Sequence, residues 1–187
     1  MTKILGISGS LRKASFNTGL MRAAAENLPD GVAFDTATLH GIPLYDGDVE
    51  KESGIPDTVT ALKQKVIAAD GVILFTPEYN NSIPGVFKNA IDWMSRPSAD
   101  IAKVFRGRPF VLAGTSPGNF GTLLSQNAWL PVLHTLGAEL WSGKRLMLPK
   151  ADTLFDAEGK LTDDAARERL AAFVKAFADH AGATKAR

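Results

Sequence analysis

The sequence has no cysteine among its 187 residues. Disulfides, thiolate nucleophiles, cysteine-held zinc and iron–sulfur clusters are excluded. It also has no excess of charge. Twenty-one lysines and arginines stand against 20 aspartates and glutamates, for a net charge of +1. That leaves no basic surplus for nucleic acid and no acidic surplus for docking on a basic redox partner. Long hydrophobic runs are missing too, and a membrane span needs roughly 20 apolar residues. The first apolar stretch, Ile4-Leu5, breaks at Gly6 and Ser8-Gly9-Ser10, too soon for a signal peptide. Histidine is scarce. His40, His134 and His180 stand far apart in the sequence, none at ligand spacing with another or with a carboxylate, so no metal site is expected. What remains, 45% hydrophobic and 22% charged residues, is globular composition. The expectation is a single cytoplasmic domain over residues 1–180 with a short, loose basic tail at 181–187.

Apolar periodicity orders the chain. Residues 4–8 predict a buried strand, and Leu20, Met21, Ala24 and Leu28 fall at helical spacing over 17–28. Residues 32–39 alternate and predict a second strand nearer an edge. A helix follows over 55–69, then the uninterrupted strand Val72-Ile73-Leu74-Phe75, whose two apolar faces suit the middle of a parallel sheet. Pro84 sits where it can open a helix carrying Phe87, Ala90, Ile91 and Met94. Phe110-Val111-Leu112-Ala113 predicts the fourth strand. Residues 123–136 are helical in pattern, with Pro131 expected to kink or break them. A fifth strand is predicted within 140–148, and a last helix over 165–178 with Asp163 and Asp164 at its positive end. Alternation of this kind means an α/β, doubly wound, five-stranded parallel sheet with helices on both faces.

Ligands of such sheets sit beyond the carboxyl ends of the strands, where the winding reverses. Three loops lie there. The first, residues 9–17, offers the hydroxyls of Ser10 and Ser15, the amide of Asn17, Arg12, and a helix N-terminus, all suited to an anion. It is neither a Gly-x-Gly-x-x-Gly fingerprint nor a Walker loop. The plainer alternative is that Ser15 or Asn17 only caps the helix. The second loop, residues 77–83, is stiffened by prolines and carries Glu78, the flat face of Tyr79 and the amide of Asn80, which would suit a heteroaromatic ring edged with carbonyl and N–H groups. The third, residues 116–121, has glycines at 118 and 121 that let a planar ligand approach the backbone. For the second and third, an ordinary turn is the plainer alternative. A serine hydrolase is not indicated, because Gly6-Ile7-Ser8-Gly9-Ser10 does not spell Gly-x-Ser-x-Gly.

Gly9-Ser10-Leu11-Arg12-x-x-Ser15-x-Asn17, Pro77-Glu78-Tyr79-Asn80 with Ser82-x-Pro84-Gly85, and Lys88-Asn89-x-x-Asp92-Trp93 together resemble the NAD(P)H-dependent FMN reductase family, which includes bacterial chromate and quinone reductases. The resemblance implies a flavodoxin-like fold with strand order 2-1-3-4-5 and a bound FMN. Ser10, Arg12, Ser15, Phe16 and Asn17 would hold the phosphate and the start of the ribityl chain. Pro77, Glu78, Tyr79 and Asn80 would line the isoalloxazine ring, and Ser116 and Gly118 would close its other side. The resemblance also implies hydride transfer from NADPH or NADH through the flavin to a small-molecule acceptor, in a ping-pong cycle without a catalytic acid/base pair, and a homodimer or homotetramer. Trp93 and Trp129 lie on helices following site loops, so they are expected to contribute apolar surface to self-association. A flavodoxin-type electron carrier and a phosphate-sensing interaction domain are the alternatives. The balanced charge and Arg12 speak against the carrier. Arg96 reads as a solvated surface arginine, with a 2′-phosphate contact as the other option.

Overall fold

A computed structural model describes residues 1–26 and 28–185 of the chain. Among these residues six parallel strands form one sheet: β1 (Thr2–Ser8), β2 (Val32–Ala37), β3 (Gly71–Phe75), β4 (Pro109–Thr115), β5 (Glu139–Leu140) and β6 (Leu146–Leu148). Their order is β2-β1-β3-β4-β5, with β6 also paired to β4. The helices are α1 (Phe16–Glu26), α2 (Gly47–Ser53), α3 (Asp57–Ala68), α4 (Gly85–Met94), α5 (Ile101–Val104), α6 (Leu123–Thr135), α7 (Ala151–Leu154) and α8 (Asp164–Lys185).

The sheet is a flavodoxin-like doubly wound one, and its two-residue side-chain period divides the core. Ile4 and Ile73 point to one face, where they join Leu20 of α1 and Phe173 and Phe177 of α8. Leu5, Ile7 and Leu74 point to the other, among Val66 of α3, Phe87 and Trp93 of α4 and Trp129 of α6. Every residue of β3 and β4 is buried, whereas β2 is only half-buried and forms an edge. Continuous apolar runs in the middle and alternation at the edge are what helices on both faces require.

The short helices α2, α5 and α7 were not predicted, and the structure departs from the sequence expectation at four further points. The fifth strand is two short pieces occupying one slot: β5 pairs with Pro109 and Phe110, and β6 with Ala113 to Thr115. Trp141 keeps one bond to β4, its N–H donating to the Phe110 carbonyl (2.9 Å), and packs its ring on Phe173, Phe177 and His180 of α8 before the chain leaves the sheet. Gly143 then passes so close over the indole that a Cβ there would lie 2.6 Å from it. The last helix does not stop at residue 178 but reaches Lys185, and Ala181 is fully buried. Residues 181–185 are therefore not a loose tail; Ala186 and Arg187 lie outside the described residues, as does Asn27 of the predicted 17–28 helix. Pro131 stands inside α6 without ending it. Trp93 and Trp129 are wholly buried within the domain, so neither offers surface to a second copy.

Candidate functional site

β1, β3 and β4 end side by side, and the three predicted loops leave from those ends. Backbone pairing carries past the strands: the Gly9 N–H donates to the Phe75 carbonyl (2.9 Å) and the Thr76 N–H to that of Ala113 (2.8 Å). Gly9 must be glycine, because a Cβ would sit 2.1 Å from the Phe87 ring.

In the first loop Ser10 and Ser15 are both 4% exposed. Ser15 Oγ accepts the N–H of Thr18 (3.3 Å) and so caps α1. A hydroxyl keeps its proton and a second lone pair after such a bond, so the cap leaves it able to serve a ligand. Phe16 and Asn17 open the first turn, where N–H groups have no carbonyl behind them in the helix. Arg12 stays on its own loop. Its Nη2 donates to the Ala14 carbonyl (2.8 Å), and its guanidinium lies 5.3 Å from the Phe16 ring centroid. The buried amide of Asn17 is already committed: it donates to the Thr115 carbonyl (2.9 Å) and accepts the Thr115 N–H (3.0 Å). It ties the first loop to the end of β4.

The second loop is a tight hairpin. Tyr79 and Ser82 exchange backbone hydrogen bonds of 3.1 and 3.0 Å around Asn80 and Asn81, which take φ of 49° and 61°. Two left-handed residues make the primed turn that asparagine tolerates. Glu78 turns towards α6, where its Oε2 accepts the N–H groups of Leu124 (2.8 Å) and Ser125 (3.0 Å). Thr76 Oγ1 meets Ser125 Oγ (2.9 Å) and accepts the Trp129 indole N–H (3.0 Å). The third loop closes on itself through the Ser116 hydroxyl and the Gly121 carbonyl. It is strapped to α7 by the Ala151 N–H on the Ser116 carbonyl (3.0 Å) and the Lys150 N–H on that of Gly118 (3.2 Å).

Together the loops enclose a cleft of about 250 Å³. Of the predicted residues, Ser10, Arg12, Ser15, Phe16, Asn17, Pro77, Glu78, Tyr79 and Ser116 line it. Asn80 and Gly118 do not; the first sits at the hairpin tip and the second is turned towards Lys150. Thr115 and Pro117 line it without having been predicted. Thr115 closes the strand and resembles any buried β residue, so only its position at the strand end could have marked it. The donor set fits an anion: two buried hydroxyls, a helix N-terminus and an arginine, with the one carboxylate engaged elsewhere. Pro77 and the Tyr79 ring add the flat apolar wall a planar ring would need. A larger hollow of about 460 Å³ is lined mainly by apolar side chains, among them Leu5, Ala33, Phe34 and Ala68, with Lys3, Gln64 and the ion pair of Lys65 and Asp35 as its polar members.

A model of the NADPH-dependent FMN reductase family matches residues 2–153. The chain belongs to this family. It is 41% identical to an NAD(P)H-dependent FMN reductase of Pseudomonas aeruginosa over 90% of this chain and 89% of that one. Identity to a 2-hydroxy-1,4-benzoquinone reductase of Burkholderia sp. is 37%, over 94% of each. Among solved structures, the flavoenzyme NAD(P)H:(acceptor) oxidoreductase of Paracoccus denitrificans superposes with a TM-score of 0.84 at 32% identity, over 98% of this chain and 99% of that one. As a member of the FMN reductase family the protein is an oxidoreductase that works with FMN and NAD(P)H.

Two further residues differ from expectation. Arg96 is not merely solvated: its Nε donates to the Glu50 carboxylate (2.9 and 3.2 Å), which also accepts the Tyr45 hydroxyl (3.0 Å). The Arg96 contact holds the Glu50 carboxyl below the usual range. His180 does meet a carboxylate, with its Nε2 2.6 Å from Glu139. Their separation of 41 positions hid this pair from any spacing rule. No helix among the described residues is long and apolar enough to cross a membrane.

Proposed function

We propose that this reductase binds FMN non-covalently in the three-loop cleft and passes reducing equivalents from NAD(P)H to quinones, azo dyes, metal oxyanions such as chromate, or free flavin. The observation that carries this is that Ser10, Ser15, Arg12 and the first turn of α1 line one cleft together with Pro77, Tyr79 and Ser116. The first group would hold a phosphate dianion with charge-assisted hydrogen bonds. The second would sandwich a planar ring, and backbone N–H groups of the second loop would meet its carbonyl edge. Asn17 supports the phosphate end through its clamp on Thr115, and its main-chain N–H belongs to the first turn of α1, whose N–H groups would face the anion. When bound, FMN supplies the hydride relay between NAD(P)H and acceptor in two half-reactions, a ping-pong cycle. No side chain is asked to move a proton in it. The protein is a single cytoplasmic domain in this scheme and works as a homodimer or homotetramer.

The test is to purify the protein, record its visible spectrum and add NADPH or NADH anaerobically. Bleaching of the yellow colour without any partner protein, and its return on adding a quinone, is expected. A colourless protein that takes up no FMN would refute the flavin site. A yellow protein that neither nicotinamide bleaches would instead make it an electron carrier.

A further inference from the structure

The first turn of α6 has no side-chain cap of its own, for Thr122 at its start makes none. Its N–H groups would otherwise lack acceptors. Glu78 supplies the cap from 46 residues away, with one carboxylate oxygen on both Leu124 and Ser125. A helix N-terminus favours a negative charge, and beside it Thr76, Ser125 and Trp129 form a buried hydrogen-bonded chain. The second loop is thus fastened to α6 at the point where the third loop ends. The other end of the third loop is fastened as well, because Asn17 grips Thr115 just before it. Side chains of loops one and two therefore pin loop three from both sides, and loops two and three are the walls of the cleft.

We propose that Glu78 is a positioning residue for the reductase site. Its carboxylate sets the separation of the second and third loops by holding α6, and so preforms the slot for the flavin ring. This rests on the FMN site proposed above. A slot held open in advance spares the ligand the cost of ordering it. The same side chain could instead touch the ring directly, and the amide variant separates the two. In Glu78→Gln a carbonyl oxygen remains to accept the helix N–H groups while the charge is gone.

The experiment measures dissociation constants of FMN and riboflavin for wild type, Glu78→Gln and Glu78→Ala, with amide hydrogen exchange of Leu124 and Ser125 in each apoprotein. Glu78→Ala should weaken both flavins by the same factor, roughly 10- to 100-fold, and speed exchange at both amides. Glu78→Gln should recover most of the affinity and of the protection. Faster exchange with unchanged affinities in Glu78→Ala would overturn the proposal, since the cap would then stabilise only the helix. Loss in Glu78→Gln as large as in Glu78→Ala, with protection kept, would overturn it in favour of direct contact. Failure of wild type to bind either flavin would refute the FMN site itself, a result independent of residue 78.

Discussion

Arg12 is the most direct probe of the phosphate end. Its guanidinium now rests on the Ala14 carbonyl and the Phe16 ring, both weak holds that a phosphate would outbid. Arg12→Ala should cost about 1.5–3 kcal/mol of FMN binding, roughly 10- to 150-fold, and leave riboflavin affinity unchanged. Equal losses for both flavins, seen in fluorescence titrations, would show that Arg12 serves the fold instead. A second single-residue test concerns Lys63, 5% exposed, whose ammonium sits 2.7 Å from Asp100. The hydrogen bond from Lys63 holds the Asp100 carboxyl below its usual range. A depressed carboxyl pKa adds stability above the unfolded value and loses it as pH falls through the folded one. Asp100→Asn should therefore cost about 1–3 kcal/mol near neutrality. In urea titrations at stepped pH, the gap to wild type should close in acid. At this scale the sequence announced what is local. Ser10, Ser15 and Arg12 stand together beside a helix start, and the paired asparagines at 80 and 81 suit a turn. The grips of Asn17 on Thr115 and Glu78 on α6 join residues 98, 46 and 47 positions apart, which no local pattern can reveal.

At the scale of elements, legibility followed burial. β3 and β4 bury every residue and were plain as apolar runs. α2 buries none, so it carries no stripe and went unseen. The fifth strand misled because 140–148 has strand-like composition, while the pull of α8 on Trp141 acts through tertiary packing. The end of α8 misled because small residues resemble a loose tail. In fact they are small for closeness: a Cβ on Gly71 of β3 would lie 2.9 Å from that of Ala181. Ala181→Glu should place an unpaired charge there and cost roughly 2–4 kcal/mol, readable as a lowered melting temperature. Full stability in that variant would mean the end of α8 detaches freely.

For the whole molecule, the tryptophan argument for self-association fails, because Trp93 and Trp129 are fully buried. Leu11, Leu44, Tyr79 and Phe120 are 42%, 81%, 46% and 76% exposed, and each lies on a loop leaving the carboxyl end of a strand. Exposed apolar side chains on these loops would suit the self-association proposed above. Light scattering at micromolar concentration should give at least twice the 20.0 kDa chain mass, and Leu44→Asp with Phe120→Asp should lower it. A monomer mass for wild type would refute the dimer. The flavin should leave completely on heating or acidification, since no cysteine is present to form a thioether link; colour retained on a denaturing gel would contradict that.

The broken fifth strand bears on how the protein behaves when crowded. An exposed strand edge is a template on which another chain can add itself, the first step towards fibrils. Here the slot beside β4 is filled by pieces of two and three residues, too short and too interrupted to guide an incoming strand. At the opposite margin, β2 carries the charge of Asp35 in its middle. The detour of Trp141 and Gly143 therefore guards the sheet against its own kind. A redesign that straightened residues 141–145 into one continuous strand would complete the ladder and, in doing so, open a seam for aggregation.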